Sequence, residues 1–269
     1  MVESMKKFMK VGLIHFMAYP NTMKGEGPIE ETVKKICTDS YFDAIEVTWI
    51  KDPAVRTKIK KLIETSHMTV AYGGQPGAVG FGFLSGKYEE ATKEKSYQAL
   101  VKSTSELCEY AKSKGDMKVA LEVFDYDIDK KSIIGPVALA KRFAEEMRAK
   151  YDNFGLMVDL SHIPMIHETI EENLLPIKDY IIHAHMGNTV IKDPSCEAYG
   201  DTHPRFGFPN GENDVDELVE YLRTLIKIGF ISEKNRPIVS FEVKPWGDED
   251  PDVVVANAKR TLDLAWARV

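Results

Sequence analysis

FGLMVDLSH (154–162) and YIIHAHMGN (180–188) are apolar nearly throughout, and each runs into residues that can do chemistry. A strand with one wet face alternates apolar and polar residues. A continuous apolar run instead marks a strand buried on both faces of a parallel sheet. Five further runs read the same way: KVGLIHF (10–16), DAIEVTWI (43–50), MTVAYGG (68–74), MKVALEVFD (117–125) and PIVSFEVKP (237–245). Between them lie segments of helical periodicity. Ile29, Val33 and Ile36 mark one over 29–38, and Leu100, Leu107 and Ala111 mark a long one over 87–114. The segment 136–150 opens on Pro136, which suits a first helical turn. Leu218, Leu222 and Leu225 mark 215–228, and Val254, Ala258 and Leu262 mark 251–267. Strand and helix in repeated alternation predict a parallel α/β fold.

A closed barrel of the TIM (β/α)8 type needs eight strands, and seven are evident. The expectation is such a barrel, irregular, with one strand missing or poorly formed between Gly74 and Met117. The stretch GQPGAVGFGFLSG (74–86) reads as a Gly-rich loop over the mouth. No low-complexity tract or Ser/Pro linker divides the chain. Barrels of roughly 250 residues fold as one domain, so residues 1–269 are read as one.

The composition narrows the function. Hydrophobic residues make up 43% and charged residues 29%, enough for a large core. Thirty-five Lys and Arg against 42 Asp and Glu give a net charge of −7, which lowers the expectation of a nucleic-acid partner. Cys37, Cys108 and Cys196 form no C-x-x-C pair, as expected for free thiols in a reducing compartment. No stretch approaches the ~20 apolar residues of a membrane span, and a cytoplasmic protein is expected.

The informative pattern is polar residues near the ends of otherwise apolar strands: Glu122, Asp159, His183 and His185, and Glu242. Buried carboxylates are costly unless paired or bound to a cation. In a barrel the carboxyl ends of the strands converge on the mouth, where the chemistry of this architecture sits. Two Glu, an Asp and a His are a hard oxygen-plus-imidazole set suited to Mn²⁺, Mg²⁺, Co²⁺ or Zn²⁺. Singly, such a residue is more often a helix cap, an ion-pair partner or a core histidine. His183 and His185 are two apart and share a strand face, so one can ligate while the other packs.

The series E-V (122–123), D-x-x-H (159–162), H-x-H (183–185) and F-E-V-K-P (241–245), with I-E-V-T (45–48) on the second strand, resembles the xylose isomerase-like TIM-barrel superfamily. That superfamily includes ketose 3-epimerases, inosose-type dehydratases and isomerases, and AP endonucleases of the endonuclease IV type. The resemblance to the epimerase branch implies one divalent ion, Mn²⁺ foremost, on Glu122, Asp159, His185 and Glu242. It implies Glu122 and Glu242 as the acid/base pair on opposite faces of the substrate, and His162 as a substrate contact. Arg205, in GDTHPRFGFPNGENDVDEL (200–218), is the candidate contact from the family's Arg- and Gly-containing loop. Where the family carries Asn and a second Glu soon after its first Glu ligand, this chain has Val123, Phe124, Asp125, Tyr126 and Asp127. The endonuclease branch also has D-x-x-H, and Asp201-Thr202-His203 matches its D-x-H. Its multi-zinc cluster needs further histidines, yet none occurs between His67 and His162.

The expected activity is therefore a metal-dependent isomerase or epimerase of a monosaccharide or related polyol. It moves a proton next to a carbonyl through a metal-bound enediolate. The alternative is a lyase or dehydratase acting on a keto-sugar, inosose or 3-oxo-glycoside. An endonuclease-like enzyme and a ligand-binding barrel without activity rank below both. His15, Lys244 and His183 are further candidate substrate contacts, each with a packing or solvent-facing reading beside it. Glu46 is read as support for the ligands or as a surface cap, and Trp49 and Trp246 as packing residues or sugar-stacking platforms. A carbohydrate substrate, no membrane and association into a homo-oligomer complete the expectations.

Overall fold

The structure, a computed structural model, describes residues 3–73 and 91–269. In chain order its elements are β1 (Lys10–Ile14), α1 (His15–Ala18), α2 (Ile29–Thr38), β2 (Ala44–Val47), α3 (Pro53–Thr65), β3 (Thr69–Tyr72) and α4 (Lys93–Ser113). There follow β4 (Val119–Glu122), α5 (Val137–Arg148), β5 (Phe154–Asp159), α6 (His162–Met165), α7 (Ile170–Leu174), β6 (Ile181–Gly187), α8 (Val215–Lys227), β7 (Ile238–Glu242) and α9 (Pro251–Trp266).

The strands form one sheet in the order β3-β2-β1-β7-β6-β5-β4, and every pairing is parallel. The first and last strands are neighbours, as closure of a barrel requires. β3 and β4 stand at the two ends of the order, and among the described residues nothing pairs them. Among the described residues the result is a curled TIM-type barrel of seven strands, with the predicted place of the missing one lying between β3 and β4. The predicted loop 74–86 lies outside the described residues.

The elements follow local chemistry. α2, α5, α8 and α9 begin and end within two residues of their apolar periodicity. Asp250 caps α9 by accepting from the N–H groups of Asp252 and Val253, with Pro251 in the first turn. The run 10–16 is shorter as a strand than its apolarity predicts, because His15 already starts the turn α1. α3 is a helix that apolar spacing does not reveal, since only Ile59 and Ile63 of its 13 residues are buried. A continuous core of buried side chains extends from Met9 to Trp266. No helix among the described residues is long and apolar enough to cross a membrane.

Register carries the fold into the site. Asp159 of β5 is the Cα partner of His185 of β6, and Gly187 of β6 is the partner of Glu242 of β7. These alignments depend on a bulge. Leu156 pairs with Ile181, but Met157 pairs with His183, so Ile182 is an extra residue in β6. An extra residue reverses which face the following side chains occupy. The bulge therefore turns His183 and His185 to the side of the sheet that carries Asp159.

Candidate metal centre

Three carboxylates and one imidazole meet at the carboxyl ends of β4 to β7. His185 Nδ1 lies 2.8 Å from Glu242 Oε2, 3.7 Å from Asp159 Oδ2 and 3.9 Å from Glu122 Oε1. One ligand atom from each of the four residues falls within 4.8 Å of all the others. Ligands placed about 2.1 Å from a common octahedral ion stand about 3 Å apart when adjacent. Ser161 N–H donates to Asp159 Oδ1, which leaves Oδ2 turned to the cluster. Asp159 Oδ2, Glu122 Oε1, His185 Nδ1 and His203 Nδ1 are all buried without a hydrogen-bond partner. Oxygen and imidazole lone pairs so placed are the donor set of a hard or borderline divalent cation, and these residues fit one. The backbone leaves room for it. A Cβ on Gly187 would stand 2.9 Å from the Glu242 carbonyl oxygen, 3.1 Å from His203 Nδ1 and 3.3 Å from Asp159 Oδ1.

Two further carboxylates brace the histidines. Glu46 of β2, only 4% exposed, accepts on Oε1 from Nε2 of His183 at 2.7 Å and of His185 at 3.1 Å. Asp201 Oδ1 accepts from His162 Nε2 at 2.9 Å and lies 2.7 Å from His203 Nε2. Its Oδ2 is paired with Lys130 Nζ at 2.8 Å, and its N–H donates to Asp129. The loop carrying Lys130 is itself wound around buried Asp125, which accepts from the N–H groups of Ile128, Asp129 and Lys130.

The electrostatics separate the two kinds of carboxylate. Burial pushes Glu122 up to about 8, with the charges of Glu242 and Asp159 adding to it against the pull of His162 and His185. Asp159 moves the other way. Burial opposes its charge, but the nearby His185, His162 and His203 hold it below its ordinary value. Burial would lower His185, yet the charge of Glu46 and the nearby carboxylates of Asp159 and Glu242 raise it well above 6.5. His203 rises to about 9 against burial, through Glu242 and Asp201.

The structure brings Glu122, Asp159, His185 and Glu242 together as one cluster and sets His162 beside it. His162 Nδ1 donates to the Val123 carbonyl at 3.2 Å and lies 3.4 Å from Glu122 Oε1, with its ring against Phe124. The remaining sequence candidates are placed differently. His15 is buried, with Nε2 2.7 Å from Thr32 Oγ1. His183 is held by Glu46. Arg205 donates to Glu249 and to the carbonyls of Phe206 and Gly207. Lys244 lays its ammonium 4.4 Å from the centre of the Trp246 ring, and Trp246 Nε1 donates to the Thr202 carbonyl. Lys51 lies over the Trp49 ring. Glu46 is resolved as a buried partner of the histidines and not a surface cap. Lys130 was not legible, since it stands in a charged run with nothing to mark it. Asp201 and His203 were visible as a D-x-H spacing without an assigned role.

No protein-family model matches the sequence, and no curated protein matches it at the sequence level. Solved structures do match. A D-psicose 3-epimerase from Clostridium cellulolyticum H10, solved with D-tagatose, aligns with a TM-score of 0.66 at 15% identity, covering 96% of this chain and 98% of that one. The chain shares the TIM-barrel fold of that epimerase. An L-ribulose 3-epimerase aligns at TM-score 0.63 and 17% identity, over 97% of this chain and 95% of that one. An IolI protein with a bound zinc atom aligns at 0.62 and 16%, over 97% and 99%. At these identities the likeness is one of fold, shared with sugar epimerases along nearly the whole chain.

Proposed function

We propose that this xylose isomerase-like barrel, read as one domain, is a divalent-metal-dependent epimerase or isomerase of a monosaccharide or related polyol. The observation that carries the reading is the convergence of Glu122, Asp159, His185 and Glu242, with unpartnered buried atoms facing one another at the mouth. The sugar epimerases of the same fold support it. A bound ion would supply Lewis acidity and a template for adjacent substrate oxygens. Mn²⁺ is the first choice, with Mg²⁺, Co²⁺ and Zn²⁺ as the other fits.

The chain's own part is proton transfer. Epimerisation beside a carbonyl needs one group to remove a proton from one face and another to deliver a proton to the opposite face. Glu122 and Glu242, on β4 and β7, are assigned that pair. In the metal-free chain burial raises Glu122 to about 8; a cation held there would displace that proton, so the acid/base role rests on the place of Glu122 beside Glu242 in the cluster. His162, 3.4 Å from Glu122, is the first substrate contact, with Lys244, Arg205, His15 and His183 as further candidates. A small carbohydrate is the partner, in the cytoplasm and in a homo-oligomer.

The test is metal analysis of the purified protein, followed by turnover of a ketose and polyol panel in D₂O. One deuterium at the carbon beside the carbonyl, with formation of the epimer and dependence on the metal, is expected. Release of water or an aglycone would establish a lyase instead. A protein that holds no divalent ion and turns over none of the panel would overturn the reading.

A further inference from the structure

We propose that Glu46 is a positioning residue that fixes which nitrogen His185 offers to a cation, and this rests on the metal-centre reading above. Glu46 lies on β2, whereas His183 and His185 lie on β6, 137 and 139 residues along the chain. The two strands are not neighbours. β1 and β7 stand between them in the sheet, so these hydrogen bonds cross the interior of the barrel. Packing does not require such a bond. A Gln or an apolar residue at position 46 would fill similar volume without the desolvation penalty of a buried carboxylate.

What Glu46 does uniquely is accept. An ionised carboxylate has no proton to donate, so both imidazoles facing it must carry their proton on Nε2. For His185 this leaves the lone pair on Nδ1, the atom that faces Glu242, Asp159 and Glu122 without a hydrogen-bond partner. A second contact from Glu46 Oε2, at 3.3 Å, holds the plane of the ring. His183 shares Oε1 and meets the His185 ring edge-on, with centroids 5.0 Å apart, which blocks rotation toward the other tautomer's geometry. A carboxylate behind a ligating imidazole sets its tautomer and orientation and raises its basicity, and loss of such a partner weakens metal binding about 10–100-fold.

Glu46→Gln tests this with little change of shape. The amide oxygen can still accept from both rings, as Oε1 does, but the charge is lost and an N–H replaces the Oε2 lone pair 3.3 Å from His185 Nε2. By chelator competition Mn²⁺ should bind the variant about 10–100-fold more weakly than the wild type, with unchanged stoichiometry at saturation. Wild-type affinity in a folded Glu46→Gln protein would overturn the proposal. The wild type supplies a measurement that does not depend on the variant's folding. With ¹⁵N-histidine labelling and Zn²⁺, the proton of His185 should sit on Nε2. A proton on Nδ1 would overturn the assignment. A wild type that binds no divalent ion would overturn the metal-centre reading instead. In that metal-free protein, Nε2–H on both His183 and His185 would still support the role of Glu46, and an Nε2 without a proton on either would overturn it.

Discussion

Gly155 of β5 cedes its side-chain volume to Ile182 of β6. A Cβ built on Gly155 would stand 2.5–2.7 Å from three side-chain carbons of Ile182, the extra residue of the bulge. Those carbons belong to a β-branched side chain with little freedom to move aside. Gly155→Ala should destabilise the protein by about 1–3 kcal/mol through overpacking. Because the bulge also aims His183 and His185, metal affinity should fall with it. Denaturant unfolding and metal titration of Gly155→Ala, and of Gly155→Ala/Ile182→Ala, check both. The double variant should recover much of the loss, and additive losses would remove the bulge from the explanation.

The acid/base assignment makes a kinetic prediction. Positioned proton transfer contributes about 10²–10⁴-fold to rate. Glu122→Gln and Glu242→Gln should each slow deuterium exchange next to the substrate carbonyl by at least about 10²-fold. Asp159→Asn should act mainly on metal affinity, since Asp159 is held ionised, below its ordinary value, and is assigned no proton to move. Exchange rates at saturating metal separate the two effects. Undiminished exchange in Glu242→Gln would leave that face without its base.

Much of this was legible in the sequence because it rests on burial. Strands buried on both faces cannot hide their apolar runs, and a carboxylate ending such a run stands out. The bulge at Ile182 has no such signature, since Ile181, Ile182 and His183 read equally well in either register. Glu46 appeared in I-E-V-T without its partners, which lie across the barrel interior. The role of Asp201 depends on two loops meeting, and Lys130, its counter-charge, sits in DYDIDKKS, where nothing separates it from solvent-facing neighbours. α3 leaves little trace in the sequence because two buried residues in 13 make too thin an apolar stripe.

Metal binding should strengthen as pH rises toward 8. In the metal-free chain Glu122 titrates near 8, and His185 and His203 are raised as well, so a cation must displace protons. The stability sign agrees. A carboxyl whose folded pKa lies above its unfolded value binds extra protons when folded, and its contribution to stability is lost as pH rises from about 4.5 through about 8. A bound cation removes that proton's role. The increase in Tm on adding metal should therefore be larger at pH 8 than at pH 6. Calorimetric titration in buffers of different ionisation enthalpy should show net proton release on binding. An increase in Tm that is flat between the two pH values would argue against Glu122 as a ligand.

Gly187 offers a change at the site itself. A methyl group there would meet the Glu242 carbonyl oxygen at 2.9 Å, a backbone atom that cannot turn away, with His203 Nδ1 and Asp159 Oδ1 close behind. Gly187→Ala should shift β7 or the two side chains and weaken metal binding more than it weakens the fold. Chelator competition compared with the unfolding midpoint tests that ordering.

His15 is buried against Thr32, and burial lowers its pKa to about 4. The unfolded chain takes up a proton near pH 6.5 that the folded chain refuses until about pH 4. Stability from this group is therefore intact above pH 6.5 and is lost as pH falls toward 4. At about 1.4 kcal/mol per pKa unit, the loss amounts to about 3 kcal/mol across that window. His15→Gln keeps a polar partner for Thr32 but has nothing to protonate. Its unfolding free energy should lie below the wild type's at pH 7.5 and change less between pH 6.5 and 4.5. Parallel pH profiles for the two proteins would mean that His15 titrates in the folded state much as it does in the unfolded chain.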